Sequence, residues 1–171
     1  RGAQHDRKTM MSLPSVESLV RKLSAFGIAV PPGPVQVDGY GDSPELSELL
    51  LAPILSGRKR AGTGLLWAWQ FDGQPVVQTG SVEIVIDHLQ EPVFVTRNTS
   101  VQIVPFNEVT AEYAAIEGEG DGSLEFWREA HWAFFGRECK RIGREPTPDM
   151  PVVCCVFEVL NVVPRPAVQA P

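Results

Sequence analysis

Five short apolar runs crowd residues 65–104, and a chain punctuated this way is directed toward a sheet. The runs fall at 65–69, 75–77, 82–86, 93–96 and 101–104, and β-branched and aromatic side chains fill most of them. Runs of that length and make-up predict strands. Asp72-Gly73 and residues 87–90 supply hairpin-type turns, with His88 exposed in the second. Several runs are apolar on both faces, which suits a small closed or nearly closed barrel. Trp67 and Trp69 alternate onto one face of the first run and read as core. Gly and Pro, 15 each, fit many turns between short strands.

Helical signals flank the strands. Val16, Leu19, Val20, Leu23 and Phe26 recur at helical spacing within 14–26. Residues 30–34 hold three prolines and predict an extended linker. Ser43-Pro44-Glu45 is a helix start: a cap, a proline suited to the first position and an acid at the positive end. Its apolar face is predicted to be Leu46, Leu49, Leu50, Pro53 and Ile54, with Gly57 as the left-handed cap. Residues 110–116 predict one or two turns ended by Gly118 and Gly120. Ser123 predicts the cap of a longer helix to about residue 139, with Leu124, Trp127, His131, Phe134 and Phe135 on one side. A loop at 146–149 and a final apolar strand at 151–163 complete the pattern.

With 171 residues the chain fits one domain. Residues 1–9 read as an expression-tag remnant or disordered leader, 10–38 as a helix and Pro-rich linker, and 164–171 as a tail. The net charge of −6 argues against a protein that coats DNA nonspecifically, and no DNA-specific motif appears. A local basic patch on an acidic protein still permits a nucleic-acid substrate. Cys139, Cys154 and Cys155 make an odd set with an adjacent pair, which predicts reduced thiols and a cytoplasmic location. No run is long enough for a membrane span. No P-loop, nucleophile elbow, dinucleotide fingerprint or metal-spaced His pair occurs.

Two clusters carry candidate chemistry. Arg58-Lys59-Arg60 follows a helix end: it holds phosphates or supplies a base, or it merely complements the helix dipole. Residues 117–121 set Glu117, Glu119 and Asp121 among glycines. Three close carboxylates raise one another's pKa or hold a hard cation such as Mg²⁺ or Mn²⁺; the alternative is a solvated acidic turn. Ser123 is a nucleophile, a phosphate donor or, by preference, a cap. Tyr40 and Asp42 flank a turn and reach a site or shape that turn. His131, among aromatic neighbours, reads as a satisfied structural residue, with a catalytic role the less favoured alternative.

Three stretches together resemble the ASCH domain family, in its longer bacterial branch. They are residues 40–46 leading into 55–61 and 65–67, residues 101–107, and residues 117–131. The family's G-x-K-x-x-T motif falls on Gly57 and Lys59, but Gly62 stands where the threonine is expected and Thr63 lies one place late. A one-residue slip turns a strand side chain to the opposite face. Either the strand starts irregularly between Gly62 and Gly64, or this chain lacks the family hydroxyl.

The resemblance implies an α+β fold, a small PUA-like β-barrel of five to six strands flanked by helices, over 39–163. It implies RNA or a modified nucleoside as partner. One implied activity is cleavage of single-stranded RNA. Arg58, Arg60, Arg128 and Tyr40 would hold the strand, Lys59, Glu117, Glu119, Thr63 and Ser123 would do the chemistry, and Asp121 with Glu119 would hold Mg²⁺ or Mn²⁺. A second is an amidohydrolase of the N4-acetylcytidine type using Lys59, Thr63 and Glu117, against which the missing threonine counts. A third is a noncatalytic RNA- or ligand-binding module.

Overall fold

The computed structural model describes residues 13–40 and 43–164. The leader, Asp42 and the tail beyond residue 164 lie outside that range. The elements run α1 (Val16–Ala25), β1 (Val35–Gly39), α2 (Pro44–Leu55), β2 (Ala61–Leu65), α3 (Leu66–Phe71), β3 (Val82–Ile86), β4 (Pro92–Pro105), a 3₁₀ turn (Phe106–Glu108), α4 (Ala111–Glu117), α5 (Leu124–Arg141) and β5 (Pro151–Val162). The strands form one sheet in the order β1-β3-β4-β5-β2. Among the described residues only β1 and β3 pair in parallel; the other pairs are antiparallel. The sheet curls into a half-barrel with β1 and β2 as its edges.

Helices cover both sides of the sheet. Leu19 and Leu23 of α1 are fully buried against Val82, Ile84, Ile86 and Val95. Leu51 and Ile54 of α2 pack on the other face, with Val85, Val93 and Phe94. The alternation of Ile84 and Val85 along β3 thus feeds two cores at once, the pattern expected of a strand buried on both sides. A third core joins Trp127, Phe135 and Cys139 of α5 to Phe106, Met150 and Val152.

Several local predictions are corrected. Residues 66–71 form α3 and not a strand. Residues side by side in alternation on a strand are roughly 200° apart on a helix. Trp67 accordingly packs on the α5 core, with the Arg144 guanidinium 4.6 Å from its ring, while Trp69 faces a cleft. Asp72-Gly73 ends α3 and makes no hairpin, and residues 75–77 form no strand. The runs at 93–96 and 101–104 are one strand, β4, whose register shifts twice against β5. The hairpin at 87–91 is present, with Gln90 at φ 61°; His88 in it is half-buried. On α2, Leu49 is exposed and Ser47 is buried in the face with Leu50, Leu51 and Ile54. Among the described residues no helix is long and apolar enough to cross a membrane.

Candidate functional site

Lys59 is fixed where three elements meet. Ser43 caps α2 by accepting the Leu46 N–H. At the other end Gly57, at φ 85°, reverses the chain. The Lys59 N–H then donates to the Pro53 carbonyl, the Arg60 N–H to the Ile116 carbonyl of α4, and the Phe157 N–H of β5 to the Arg60 carbonyl. Arg60 also donates its guanidinium to the Ile54 and Lys59 carbonyls, at the end of α2.

Glu117 is the last residue of α4 and not part of a loop. Gly118 follows at φ 65°, and a Cβ there would run into the Arg58 carbonyl oxygen. Both the left-handed backbone and the close approach require glycine. A carboxylate at a helix C-terminus is repelled by the helix dipole, so Glu117 must be held by other groups.

Those groups converge on it. Thr63 Oγ1 donates to Glu117 Oε2 at 2.8 Å, and Trp127 Nε1 donates to the same oxygen at 2.6 Å. Lys59 Nζ lies 3.4 Å from Glu117 Oε1 and 2.8 Å from Glu119 Oε1. The Tyr113 hydroxyl donates to the Gly62 carbonyl and sits 3.0 Å from Thr63 Oγ1. His131 Nδ1 lies 2.9 Å from the Trp127 carbonyl. A carbonyl only accepts, so Nδ1 carries hydrogen and Nε2 faces Glu117 Oε1 at 3.5 Å. The Glu117 side chain is 2% exposed, and those of Lys59 and Glu119 are 14% exposed.

Burial pushes the Glu117 carboxyl up. The His131 hydrogen bond, the Lys59 and His131 charges and the Trp127 N–H outweigh burial and bring it down to about 2. Burial pushes Lys59 down, but Glu117 and Glu119 raise it above its usual value, so it is an ammonium at neutral pH. The resting site is therefore an ionised carboxylate touched by a hydroxyl and an ammonium.

Thr63 decides the question raised by the late threonine. β2 pairs with β5 in unbroken register from Ala61 to Leu65, so no bulge occurs within the strand. Ahead of the strand Lys59 and Arg60 bond to α2 and α4, and it is Thr63, one place after Gly62, whose hydroxyl reaches Glu117.

The cluster opens on a cleft of about 1090 Å³ that Tyr40 also lines. Seven carboxyl-bearing residues face it against three lysines and arginines. Among the seven, Glu83 is pushed well above its usual value by burial and by the neighbouring Asp38. Burial and the carboxyls of Glu83, Asp38 and Glu117 likewise raise the Tyr40 phenol. The other expected residues lie apart. Arg58 is exposed and does not line the cleft. Arg128 donates to the Asn107 carbonyl. Ser123 caps α5 by accepting the Phe126 N–H. Asp121 is exposed, and hydrogen bonding from the Ser123 side chain first, and then from the Ser123 N–H, holds its carboxyl below the usual range. The donor atoms that could share a cation belong instead to Glu117, Glu119 and His131, all within 4.8 Å of one another.

No sequence signal singles out Tyr113 or Trp127 as site residues, and His131 is singled out only as the less favoured catalytic alternative. Trp127 and His131 lie four apart on α5, a spacing that stacks them on one helix face. That face was legible; its contact with the end of α4 was not.

A curled, mixed five-stranded half-barrel with helices on both faces is the fold of a PUA-like domain. The ASCH domain model matches residues 36–161, and the chain belongs to the ASCH domain family. An ASCH domain structure from Lactobacillus crispatus is 32% identical, with 84% of this chain and 87% of that one covered and a TM-score of 0.66. The protein EF3133 from Enterococcus faecalis is 29% identical, with 86% and 89% covered and a TM-score of 0.69. Among curated proteins none matches.

Proposed function

We propose that this ASCH domain is a hydrolase of RNA-derived substrates, and that its best-supported reaction removes an acyl group from the exocyclic amine of a nucleoside of the N4-acetylcytidine type. The observation that carries this reading is the Thr63 hydroxyl, 2.8 Å from an ionised, buried Glu117 with Lys59 alongside. A hydroxyl, a carboxylate to take its proton and a cation for the developing oxyanion are the parts an acyl transfer needs. The charge of the cleft favours a small neutral substrate over a polyanion.

Thr63 Oγ1 attacks the acyl carbonyl carbon, and its proton passes to Glu117 Oε2. The Lys59 ammonium turns from Glu117 to the carbonyl oxygen. That move removes one of the interactions holding Glu117 acidic and makes it a better base at the moment it is needed. The carbon–nitrogen bond breaks, and the amine nitrogen takes the proton from Glu117. Water then attacks the threonine ester and gives a proton to the same carboxylate, which passes it to Thr63 Oγ1 as the carbon–oxygen bond breaks and the carboxylic acid leaves. Lys59 acts as a cation throughout and not as a base.

A second reading has its own observation. Glu117, Glu119 and His131 offer one carboxylate oxygen each and a ring nitrogen at cation-binding spacing. Mg²⁺ or Mn²⁺ there would displace the Lys59 ammonium, offset the acidic cleft and support cleavage of single-stranded RNA.

Acetate release from N4-acetylcytidine in EDTA separates the two. Thr63→Ala is expected to slow it by about a hundredfold or more while leaving the fold intact. Undiminished turnover by Thr63→Ala would remove the acyl-transfer reading. Mn²⁺-dependent RNA cleavage lost in Glu119→Gln would establish the second.

A further inference from the structure

Two aromatic rings of the cleft rest on glycines beside the reactive residues. Gly64 follows Thr63, and a Cβ on it would lie 2.5 Å from Trp69 Cζ2 and 2.8 Å from Nε1. Gly120 follows Glu119, and a Cβ on it would enter the Phe126 ring. The two glycines are not alike. Gly120 has φ 57°, which alone favours glycine. Gly64 has no left-handed backbone, and β2 pairs regularly through it. Glycine inside a strand weakens the strand and marks a close approach. The close approach at Gly64 is the Trp69 indole, laid on the strand beside Thr63.

Core packing does not require this. Ala68, the preceding residue, is 3% exposed and belongs to the core, and Trp67 packs on α5. Trp69 is half-buried and lines the cleft, as does Phe126. A half-buried indole that lines a cleft offers a surface on which planar heterocycles stack.

We propose that Trp69 is a stacking platform for a nucleobase, with Phe126 as the facing wall on the Glu119 side. This rests on the reading that the cleft takes a nucleoside, and it adds how the ring is gripped. A base lying on Trp69 brings its exocyclic substituent toward Thr63, one residue from the glycine seat. Stacking is indifferent to charge, so it suits a cleft that repels phosphate.

The test is binding of N4-acetylcytidine and of cytidine, with free ribose as control. Loss of one base-stacking side chain is worth roughly a factor of ten or more in affinity. Trp69→Leu is expected to weaken both nucleosides by about that factor, and Trp69→Phe to stay within about threefold of wild type. Ribose is expected not to bind measurably. In the wild type, magnetisation is expected to pass from indole protons to the base protons H5 and H6. Unchanged affinity in Trp69→Leu, equal loss in Trp69→Phe, transfer confined to sugar protons, or no nucleoside binding at millimolar concentration would each overturn the platform. Binding that depends on Trp69 without acetate release removes the reaction and keeps the platform. Acetate release undiminished in Trp69→Leu removes the platform and keeps the reaction.

Discussion

Glu117 sits at the end of α4 that repels it, is almost fully removed from water, and is nonetheless ionised. The interactions that keep it so act only in the folded chain. Its carboxyl is ordinary when unfolded, near 4.5, and about 2 when folded. A group depressed by folding stabilises the fold above its unfolded pKa, and that stability is lost as pH falls through the folded value. Urea unfolding followed from pH 6 downward is therefore expected to show a midpoint that declines between about pH 5 and pH 2, with up to about 3 kcal/mol at stake. Glu117→Gln should flatten that decline, because the amide does not titrate. A decline of the same steepness in the variant would assign the acid sensitivity to other carboxyls.

At the level of elements, the α4–α5 junction carries the site, and its two short signals do different work. Ser123 is a cap: Ser123→Ala should cost about 1 kcal/mol in a thermal or urea melt and leave turnover unchanged. Gly118 holds the turn that aims Glu117 at Lys59. Gly118→Ala should cost more, about 1–3 kcal/mol, and lose turnover as well, because the Arg58 carbonyl has to move. A loss of activity in Ser123→Ala beyond its stability cost would return that residue to the chemistry.

Capping and period signals made this junction readable: Ser43, Gly57, Gly118 and Ser123 each mark the end they were expected to mark. The apolar runs at 82–86 and 151–163 are likewise β3 and β5. Misreading came where local pattern is ambiguous. Leu65-Leu66-Trp67-Ala68-Trp69 is short, apolar and aromatic, and such a run fits a strand or one buried helical turn equally well. Tertiary packing against α5 chose the helix. The site was legible as two separate clusters, Lys59 and the acids after residue 116. Their closure depends on β2, α4 and α5 meeting: Trp127 and His131 lie in the same short stretch as Glu117, but Lys59 and Thr63 reach it from more than 50 residues away, which no local pattern encodes.

Over the whole molecule, the charge of the cleft sets the two proposed substrates apart. Seven carboxyl-bearing residues line the cleft against three lysines and arginines, and although Glu83 is pushed up and Lys59 and Arg141 each pair with acids, the excess of acids disfavours each phosphate of an RNA strand while a neutral nucleoside feels no such penalty. The predicted contrast is in salt dependence. Affinity for N4-acetylcytidine should stay level across about 50–200 mM salt, since no counterion is released. Single-stranded RNA should bind weakly at low salt without metal, and added Mn²⁺ should strengthen it only through Glu117, Glu119 and His131. Equilibrium binding of both ligands, with and without Mn²⁺, in wild type and in His131→Gln, measures this directly. Tight RNA binding in EDTA that falls about tenfold or more over the same salt range would mean that phosphates are held by cations outside the cleft. Exposed Arg58 would then be the first residue to replace, and the substrate would be a strand passing over the half-barrel mouth in place of a nucleoside within it.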